Sequence, residues 1–349
     1  MFSSCVSRRP AAGRALLVLA LVSLVAGCAT GASTGPSGPA PTGSILPVAT
    51  GTPTAPPQQT EGPAIEPGFP VTVTDDDGTE VTIENQPARI VSLAPATTEI
   101  LFALGAGDRV VGRTDADDYP AAVAAIPVVV TLGTVDVEQI VGLEPDLVIA
   151  GGGDFSSPMA VEALRDVDIP VIVTYAPTVE GVLEDIELVG QAIGSPVPAT
   201  ELADAMRTEM DAIAAALAAS GRTPPRVFCE LDAMKEIYGP ADDSFLAEMI
   251  SLAGGDPITT GSPTSWEMPL ERLVVADPEV IVLTDTAYGV TPEQVAARPG
   301  WAGMTAVKAG AIRPIDVVVV TRPGPRLVDG LRALALAIDP AAPLPSTAP

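Results

Sequence analysis

The sequence contains no histidine in its 349 residues. This absence excludes metal sites with imidazole ligands, Ser-His-Asp triads and Cys-His dyads, because each needs that ring as a ligand or a base. Cysteine is nearly as scarce, and only Cys229 lies beyond residue 28. We therefore predict no disulfide in the folded region and interpret Cys229, within the apolar stretch RVFCEL, as a buried thiol.

Positive charge is also in short supply. Lys and Arg together number 18 against 44 Asp and Glu, which gives a net charge of −26. A nucleic-acid-binding protein needs a basic surface, so this balance excludes that class. Aromatic residues make up only 3% of the chain. An aromatic side chain in a predicted loop is therefore informative about a binding site.

The first 27 residues combine three arginines with the apolar run ALLVLALVSLVAG. A run of about a dozen apolar residues is too short for a permanent membrane span and is typical of a secretory signal peptide. The end of this run, LVAGC, resembles a bacterial lipobox, which predicts a lipid on Cys28 and an extracytoplasmic, membrane-anchored lipoprotein. Residues 28–69 are rich in Gly, Pro, Ser and Thr and predict a disordered tether with a span of roughly 35 Å.

Two stretches of the chain are nearly the same, VEQIVGLEPDLVIAGG at 137–152 and LERLVVADPEVIVLTD at 270–285. Each predicts a short helix, a proline that ends it, and a buried strand of Val, Ile and Leu. Their separation of 133 residues exceeds the period of repeat arrays, about 20–50 residues, and predicts two related lobes. Glu138 and Glu271 fall in the first helical turn, where a carboxylate either stabilises the helix dipole or contacts a partner.

The other segments alternate between strand and helix patterns, which predicts an α/β fold. We expect two lobes, each with a mainly parallel sheet and flanking helices, joined by one long rigid helix. The stretch PATELADAMRTEMDAIAAALAAS, with no internal Gly or Pro, predicts that helix. The predicted segments are a leading β-hairpin at 70–88, an N-terminal lobe at 89–197, the backbone helix at 198–221, a C-terminal lobe at 222–341 and a tail at 342–349.

Three local assignments concern the ends of elements. Thr97 or Thr98 is predicted to cap the helix that follows the strand RIVSL. The stretch GAIRPIDVVVVT is predicted to form the final strand. Pro325 is predicted to lie in the first turn of the closing helix.

A ligand of an open α/β sheet lies beyond the carboxyl ends of the strands. The loops predicted at those ends contain several aromatic residues, which could hold a flat or apolar ligand; the alternative is that some of them anchor loops. Arg322 is predicted to orient an amide or carboxylate of the ligand. The predicted ligand-binding residues are Pro95, Arg113, Tyr119, Phe155, Tyr238, Trp266, Tyr288 and Arg322.

Two other motifs were considered as sites. Gly151 to Gly153 lack the lysine and the spacing of a phosphate-binding loop, and we interpret them as a permissive turn that opens the cleft. Asp117 and Asp118 could act as a carboxylate pair in an enzyme or a sensor. No nucleophile or base is matched to them, and neighbouring loop aspartates are more often solvated.

The chain resembles the helical-backbone substrate-binding proteins of ABC importers for iron complexes, haem and vitamin B12. The resemblance covers residues 89–338 and is greatest to vitamin B12 receptors, because of the DDYP loop. It implies a receptor without catalytic residues, a metal site or a cofactor, which holds one ligand between its lobes and moves little on binding. The residues that carry it are RIVSLAPATTEILFALGAGDRVVGRTDADDYP, VEQIVGLEPDLVIAGG, SFLAEMISLAGGDPI, LERLVVADPEVIVL and RPGPRL.

The resemblance also implies the partners. The carried ligand is expected to be a corrinoid or a ferric siderophore, with haem as the alternative, and the receptor to be a monomer. Glu138 and Glu271 are expected to dock onto arginines of the membrane permease. Vitamin B12 receptors carry aromatics where this chain has Ala116, Leu132 and Gly151, which leaves the siderophore open. Without histidine, only a tyrosine could bind the iron of haem.

Overall fold

The computed structural model describes residues 68–153 and 156–346. The predicted signal peptide, Cys28, all but the end of the predicted tether, and Phe155 lie outside these ranges. Within them, no helix is both long enough and apolar enough to cross a bilayer.

The predicted fold class is confirmed: two α/β lobes with mainly parallel sheets are joined by a long helix. The strands are β1 (Val71–Thr74), β2 (Glu80–Ile83), β3 (Ile90–Ser92), β4 (Val110–Thr114), β5 (Val128–Thr131), β6 (Thr134–Val135), β7 (Leu147–Gly151), β8 (Val171–Thr174), β9 (Arg226–Glu230), β10 (Asp256–Pro257), β11 (Val280–Leu283) and β12 (Ile312–Pro314). The α-helices are α1 (Pro95–Ala103), α2 (Val137–Gly142), α3 (Pro158–Arg165), α4 (Val179–Ala192), α5 (Pro196–Ala219), α6 (Phe245–Leu252), α7 (Leu270–Ala276), α8 (Pro292–Ala296), α9 (Thr305–Ala309), α10 (Val317–Thr321) and α11 (Leu327–Ile338).

Each of the two sheets brings the carboxyl ends of its parallel strands to one edge. The N-terminal sheet has the order β6-β5-β4-β3-β7-β8 and is parallel except for β6. The C-terminal sheet has the order β10-β9-β11-β12 and is parallel throughout. In each sheet the carboxyl ends of parallel neighbours therefore meet at one edge, where ligands of such folds bind. The β1–β2 hairpin attaches to the N-terminal lobe through a hydrogen bond from Asp76 N to Val173 O, 3.1 Å.

The long helix is α5, which has 24 residues and a length of about 36 Å. One face packs closely on α4, because Gly190 of α4 has no side chain: a Cβ there would lie 2.1 Å from Ala199 Cβ. The buried residues recur every three or four positions, as expected for a helix with one apolar face. They are Ala199, Ala203, Met206, Met210 and Ile213.

A continuous apolar core joins the lobes through α5. The same cluster includes Ile90 and Leu147 of the N-terminal sheet, Met206 of α5, and Val227 and Val282 of the C-terminal sheet. Each sheet also packs against a second cluster of its own. One face of the helix is therefore held by packed side chains of both lobes, and such packing transmits strain.

The predicted final strand was wrong in its second half. β12 ends at Pro314, and Val317–Thr321 form the helix α10. Asp316 caps this helix, since its carboxylate accepts a hydrogen bond from Val318 N at 2.9 Å. The cap and the packing of α10 on α11 override the strand preference of four valines.

Two predicted helix starts were also wrong. Ala94 is the N-cap of α1 and Pro95 lies in its first turn, so Thr97 is inside the helix and donates from Oγ1 to Ala94 O at 2.8 Å. Arg326 is the N-cap of α11, so Pro325 precedes the helix. The helix α4, capped by Thr178 through Gly181 N at 3.0 Å, was not predicted from the sequence at all.

Candidate functional site

A cavity of about 230 Å³ lies where the two lobes meet. The N-terminal lobe contributes the carboxyl ends of β3, β7 and β8 and the first turn of α1, and the C-terminal lobe contributes the segment that follows α10. Pro95 and Arg322, two of the predicted ligand-binding residues, line it, and their contact with a ligand stays a prediction. The other lining residues are Ala94, Ala96, Thr97, Ile100, Gly151, Thr174, Tyr175, Ala176, Asp185, Thr321 and Pro323.

The predicted aromatic residues within the described ranges are exposed at strand-end loops. The exposed fractions of Tyr119, Tyr238, Trp266 and Tyr288 are 48%, 37%, 42% and 79%. Large aromatic side chains left half in solvent offer flat faces to a ligand. Their role in binding stays a prediction.

Backbone pairing joins the loops that carry two of these aromatic residues. The backbone of Tyr238 forms antiparallel β-bridges with Asp232 on one side and with Glu267 on the other. Gly239 N donates to Trp266 O at 2.9 Å. The loops that carry Tyr238 and Trp266 are therefore joined through their backbones.

Tyr175 is a cleft residue that the sequence reasoning missed. It follows β8 and is 49% exposed. A Cβ on Gly152 would lie 2.9 Å from Tyr175 Cβ, and one on Gly153, whose φ is +63°, would lie 3.2 Å from Tyr175 Cε2. The glycine turn thus makes room for a tyrosine, which supports the interpretation of this segment as a permissive turn. The signal available in the sequence was the tyrosine directly after the strand VIVT.

Arg113, a predicted ligand contact, is used within its own lobe. Its Nε donates to Ile126 O at 3.1 Å and its Nη1 to Thr114 O at 2.6 Å. These bonds tie the loop after β4 to the segment before β5. The guanidinium acts here as a structural brace.

Arg322 joins the two lobes. Its Nη1 lies 2.7 Å from Glu99 Oε1 and 2.6 Å from Asp118 Oδ1, both on the N-terminal lobe. Arg326 binds the same Glu99 with two contacts, Nε to Oε2 at 2.8 Å and Nη2 to Oε1 at 2.6 Å. Its guanidinium also lies 4.4 Å from the centre of the Tyr119 ring, a cation–π contact. We call these side chains the interlobe ion cluster: Glu99, Asp118, Arg322 and Arg326.

The aspartates considered as a carboxylate pair have different partners. Asp117 is buried and accepts from Thr98 Oγ1 and Thr114 Oγ1, each at 2.7 Å. Burial raises the pKa of the Asp117 carboxyl, and these hydrogen bonds oppose the rise. Asp118 belongs to the interlobe ion cluster. Each carboxylate is thus occupied by a structural contact.

Asp185 is a buried acid at the wall of the cavity. Burial, together with a hydrogen bond to Asp76, raises the pKa of its carboxyl to about 9. Asp76 in turn accepts from Tyr175 N at 2.5 Å. A neutral Asp185 therefore helps to position the loop that carries Tyr175, and the cavity wall bears no charge at this point near neutral pH.

The C-terminal lobe has its own buried acids, at the ends of β9 and β11. Glu230 accepts from Arg298 Nη1 at 2.5 Å, and Arg298 lies 4.9 Å from the centre of the Trp301 ring. Burial raises the pKa of both Glu230 and Asp285. Glu230 Oε1 and both carboxylate oxygens of Asp285 are buried and have no hydrogen-bond partner among the described atoms.

The two repeated helices present the predicted docking residues. Glu138 is the second residue of α2 and Glu271 the second residue of α7, and both are exposed. Exposed apolar side chains accompany them, Val141 on α2 and Val274 and Val275 on α7. Such a mixture of acidic and apolar groups is compatible with a protein interface.

An arginine contacts the carboxyl end of each of the two repeated helices, α2 and α7. Arg89 Nη2 donates to Leu143 O at 2.6 Å and its Nε to Glu144 O at 3.2 Å. Arg226 Nη2 likewise donates to Asp277 O at 2.8 Å. A cation at the last carbonyls of a helix satisfies unpaired acceptors and complements the dipole. We call Arg89 and Arg226 the helix clamps.

Leu132 stands where vitamin B12 receptors are expected to carry an aromatic. It is 91% exposed, and its backbone adopts a φ of +48°. Its N–H donates to Asp115 Oδ2 at 2.9 Å. The loop before α2 is therefore held by the loop after β4, and an apolar side chain is presented to solvent.

Comparison with known proteins identifies the family. Residues 90–317 match the family described as periplasmic binding protein. The chain is 37% identical over 276 residues to the ABC transporter substrate-binding lipoprotein YvrC of Bacillus subtilis, covering 78% of this chain and 86% of that protein. It is 30% identical over 277 residues to a cobalamin-binding protein of Halobacterium salinarum, covering 76% of this chain and 73% of that protein.

A solved structure agrees with this assignment. The periplasmic haem-binding protein RhuT from Roseiflexus sp. RS-1, in its apo form, superimposes with a TM-score of 0.65 at 27% identity, covering 73% of this chain and 98% of that one. The chain therefore belongs to the periplasmic binding protein family and has the two-lobed fold of the substrate-binding proteins of ABC importers.

Proposed function

We propose that this protein captures a metal chelate outside the cytoplasm and delivers it to the permease of an ABC importer. The chelate is cobalamin or another corrinoid, or a ferric siderophore. The observation that carries the proposal is the interlobe cavity, which is lined from both lobes, together with exposed aromatic residues at the strand ends. Concave sites with apolar walls and a few polar groups suit such ligands.

Capture without catalysis is supported by the chemistry of the cleft. Asp117 is bound to threonine hydroxyls and Asp118 to Arg322. Cys229 is fully buried, and burial raises the pKa of its thiol to about 12. A thiol in this state is not a nucleophile. The relatives described above are binding proteins as well.

Delivery is proposed to use the two docking helices. Glu138 and Glu271 are exposed at equivalent places of the two lobes, each at the start of a clamped helix. Two carboxylates held by a rigid body can meet two basic groups of a partner at once. Such pairs speed association and fix orientation.

The site of action is proposed to be the outer face of a membrane. A lipid on Cys28 would anchor the chain, and residues 28–69 would tether the folded part. The B. subtilis relative is named as a lipoprotein. We propose a monomer, since one molecule carries both docking helices.

Haem is the second candidate ligand. It is favoured by the likeness to RhuT and by the exposed tyrosines Tyr119, Tyr175, Tyr238 and Tyr288. A phenolate from one of them would have to bind the iron, since the chain has no histidine.

Two experiments test the proposal. Native mass spectrometry of the protein purified from its own host should reveal a bound metal chelate by mass and isotope pattern; a metal-free organic ligand would contradict the capture of a chelate. The double variant Glu138→Ala with Glu271→Ala should bind the ligand normally and abolish uptake in cells. The matched control is Glu201→Ala with Asp211→Ala, two exposed acids of α5, which should leave uptake unchanged. Normal uptake in the docking variant would rule out the role of the two glutamates.

A further inference from the structure

The arginines nearest the cleft are already neutralised by carboxylates of the protein. Arg322 lies 2.7 Å from Glu99 and 2.6 Å from Asp118, and Arg326 binds Glu99 through two nitrogens. Only 2% of the Glu99 side chain and 14% of the Arg322 side chain are exposed. Taking Arg322 away from Glu99 to bind a ligand would weaken the pairing of a buried carboxylate, which is costly. The interlobe ion cluster therefore offers no spare positive charge.

The other arginines near strand ends are occupied as well. Arg113 donates to the carbonyls of Ile126 and Thr114. Arg298 binds the buried Glu230 at 2.5 Å and lies over the Trp301 ring. An anionic ligand would have to break these contacts in order to gain a cation.

The charged groups left at the rim are mostly acidic. Among the described residues of the strand-end loops, Lys235 is an exposed cation, on the loop that also carries Tyr238. More carboxylates than cations surround it, and the whole chain carries a net charge of −26. Such a field lowers the local concentration of anions and raises that of cations. These loops include the acidic residues Asp115, Asp232, Glu236 and Glu267.

We propose that the cleft selects electrically neutral or cationic chelates and rejects anionic ones. The inference rests on the proposed function and narrows its ligand class to amide-bearing corrinoids and hydroxamate-type ferric complexes. Haem with ionised propionates and ferric catecholates fall in the rejected class. The exposed rings of Tyr238, Trp266 and Tyr288 add to the preference, because aromatic faces attract positive charge.

Titration calorimetry of the full chain with two matched pairs of probes tests the inference. The macrocycle pair is cyanocobalamin, which is neutral, and haemin, which carries propionates. The siderophore pair is ferrioxamine B, a cationic trihydroxamate, and a ferric tricatecholate, which is multiply anionic. In the pair that binds, the neutral or cationic member should bind at least about tenfold more tightly.

The outcomes separate the two claims. An anionic member that binds as tightly as its counterpart, or more tightly, overturns the charge selection and leaves the capture of chelates intact. Failure of all four probes to bind overturns the proposed function and the inference together.

A variant tests the mechanism of selection. Asp118→Asn removes one of the two carboxylates that neutralise Arg322, so the affinity for the anionic member should rise about threefold relative to the neutral one. Asp211→Asn, at an exposed acid on α5, makes the net charge less negative by the same one unit and serves as control. A ratio that changes in neither variant, or equally in both, would contradict local neutralisation of Arg322. Thermal unfolding of both variants checks that they fold.

Discussion

The two repeated segments have similar residues at equivalent positions, although the two lobes otherwise differ. In each copy a glutamate is the second residue of the helix, and an acidic residue with positive φ, Glu144 at +49° or Asp277 at +47°, ends it before a proline. In each copy a helix clamp, Arg89 or Arg226, binds the last carbonyls. The two copies thus share the position of the glutamate in its helix and the arginine at the end of that helix.

The copies differ in how their helices begin. Asp136 caps α2 by accepting from Gln139 N at 2.9 Å, and Gln139 Nε2 binds Val128 O at 3.0 Å. The helix α7 starts at Pro269 without a side-chain cap. The carboxyl end of α7 has an additional contact, because Asp277 Oδ1 accepts a hydrogen bond from Thr305 N at 2.7 Å. Besides the arginine at its end, α2 is thus held by a cap at its start and α7 by a further contact at its end.

We expect the largest effect from substituting Glu138 or Glu271, and this effect distinguishes docking onto the permease from stabilisation of the helix dipole. Glu138→Ala or Glu271→Ala alone should lower uptake at least about tenfold, because a lost ionic contact with the permease slows association and weakens the complex. Chelate affinity should not change. Uptake in cells and calorimetry on the purified variants measure the two quantities. A loss of stability of about 0.3–1 kcal/mol with unaltered uptake would instead indicate a helix-dipole role.

The helix clamps should give the next largest effect. Arg89→Ala and Arg226→Ala should each lower the free energy of unfolding by about 1–2 kcal/mol, since charge-assisted bonds to helix carbonyls are lost. Uptake should fall about threefold with unchanged chelate affinity, because the glutamates are less well held.

Arg313→Ala is the control for the clamps. Its Nη1 donates to Gly310 O at 2.6 Å, after α9, which carries no docking glutamate. Denaturant unfolding of this variant should show a similar loss of stability, and uptake assays should show no loss. If uptake falls equally in all three variants, the clamps have no specific role in docking.

The repeat, the alternation of strands and helices and the long helix were predictable because they depend on local pattern. The glutamates were predictable for the same reason, since each belongs to a repeated stretch of sequence. The four valines of α10 misled the prediction, because a cap by Asp316 and packing on α11 outweigh their strand preference.

The partners of the cleft arginines could not be predicted. Arg322 and Glu99 lie 223 residues apart in sequence, and no local pattern indicates their contact. Their pairing gives Arg322 a contact between the lobes, and its predicted role in orienting a ligand stays a prediction. Tyr175 was overlooked although it directly follows a strand, the same position that pointed to the other aromatic residues.

The lobes also differ in the acids they bury, which gives a pH-dependent prediction. The pKa of Asp185 in the folded state is raised to about 9. The contribution of Asp185 to stability is therefore present below the pKa of the unfolded state and is lost as the pH rises from that pKa to the pKa of the folded state. The slope is at most about 1.4 kcal/mol per pH unit. Asp185→Asn should remove that slope between about pH 5 and about pH 8 in denaturant titrations.

Glu230→Gln is the comparison in the C-terminal lobe. Burial raises the pKa of Glu230 as well, and Arg298 opposes the rise, so this variant should flatten the pH dependence less than Asp185→Asn does. A larger effect of Glu230→Gln would show that the acid bound to arginine, and not the acid paired with Asp76, dominates the pH dependence.

The smallest effect concerns the helix starts. Asp136→Ala should lower the free energy of unfolding by about 1 kcal/mol, because α2 loses its cap. Pro269→Ala should change stability less, since α7 has no side-chain cap to lose. Equal losses in denaturant titrations would contradict the difference between the two starts.

The central claim is that a chelate binds between the lobes beside the exposed aromatic residues. The chain has two tryptophans, of which Trp266 is 42% exposed on a strand-end loop and Trp301 is 2% exposed in the core. Addition of a chelate that binds should quench tryptophan fluorescence in the wild type and in Trp301→Phe. Most of this quenching should be absent in Trp266→Phe. Equal quenching in Trp266→Phe and the wild type, or a flat signal with a chelate that calorimetry shows to be bound, would contradict the account.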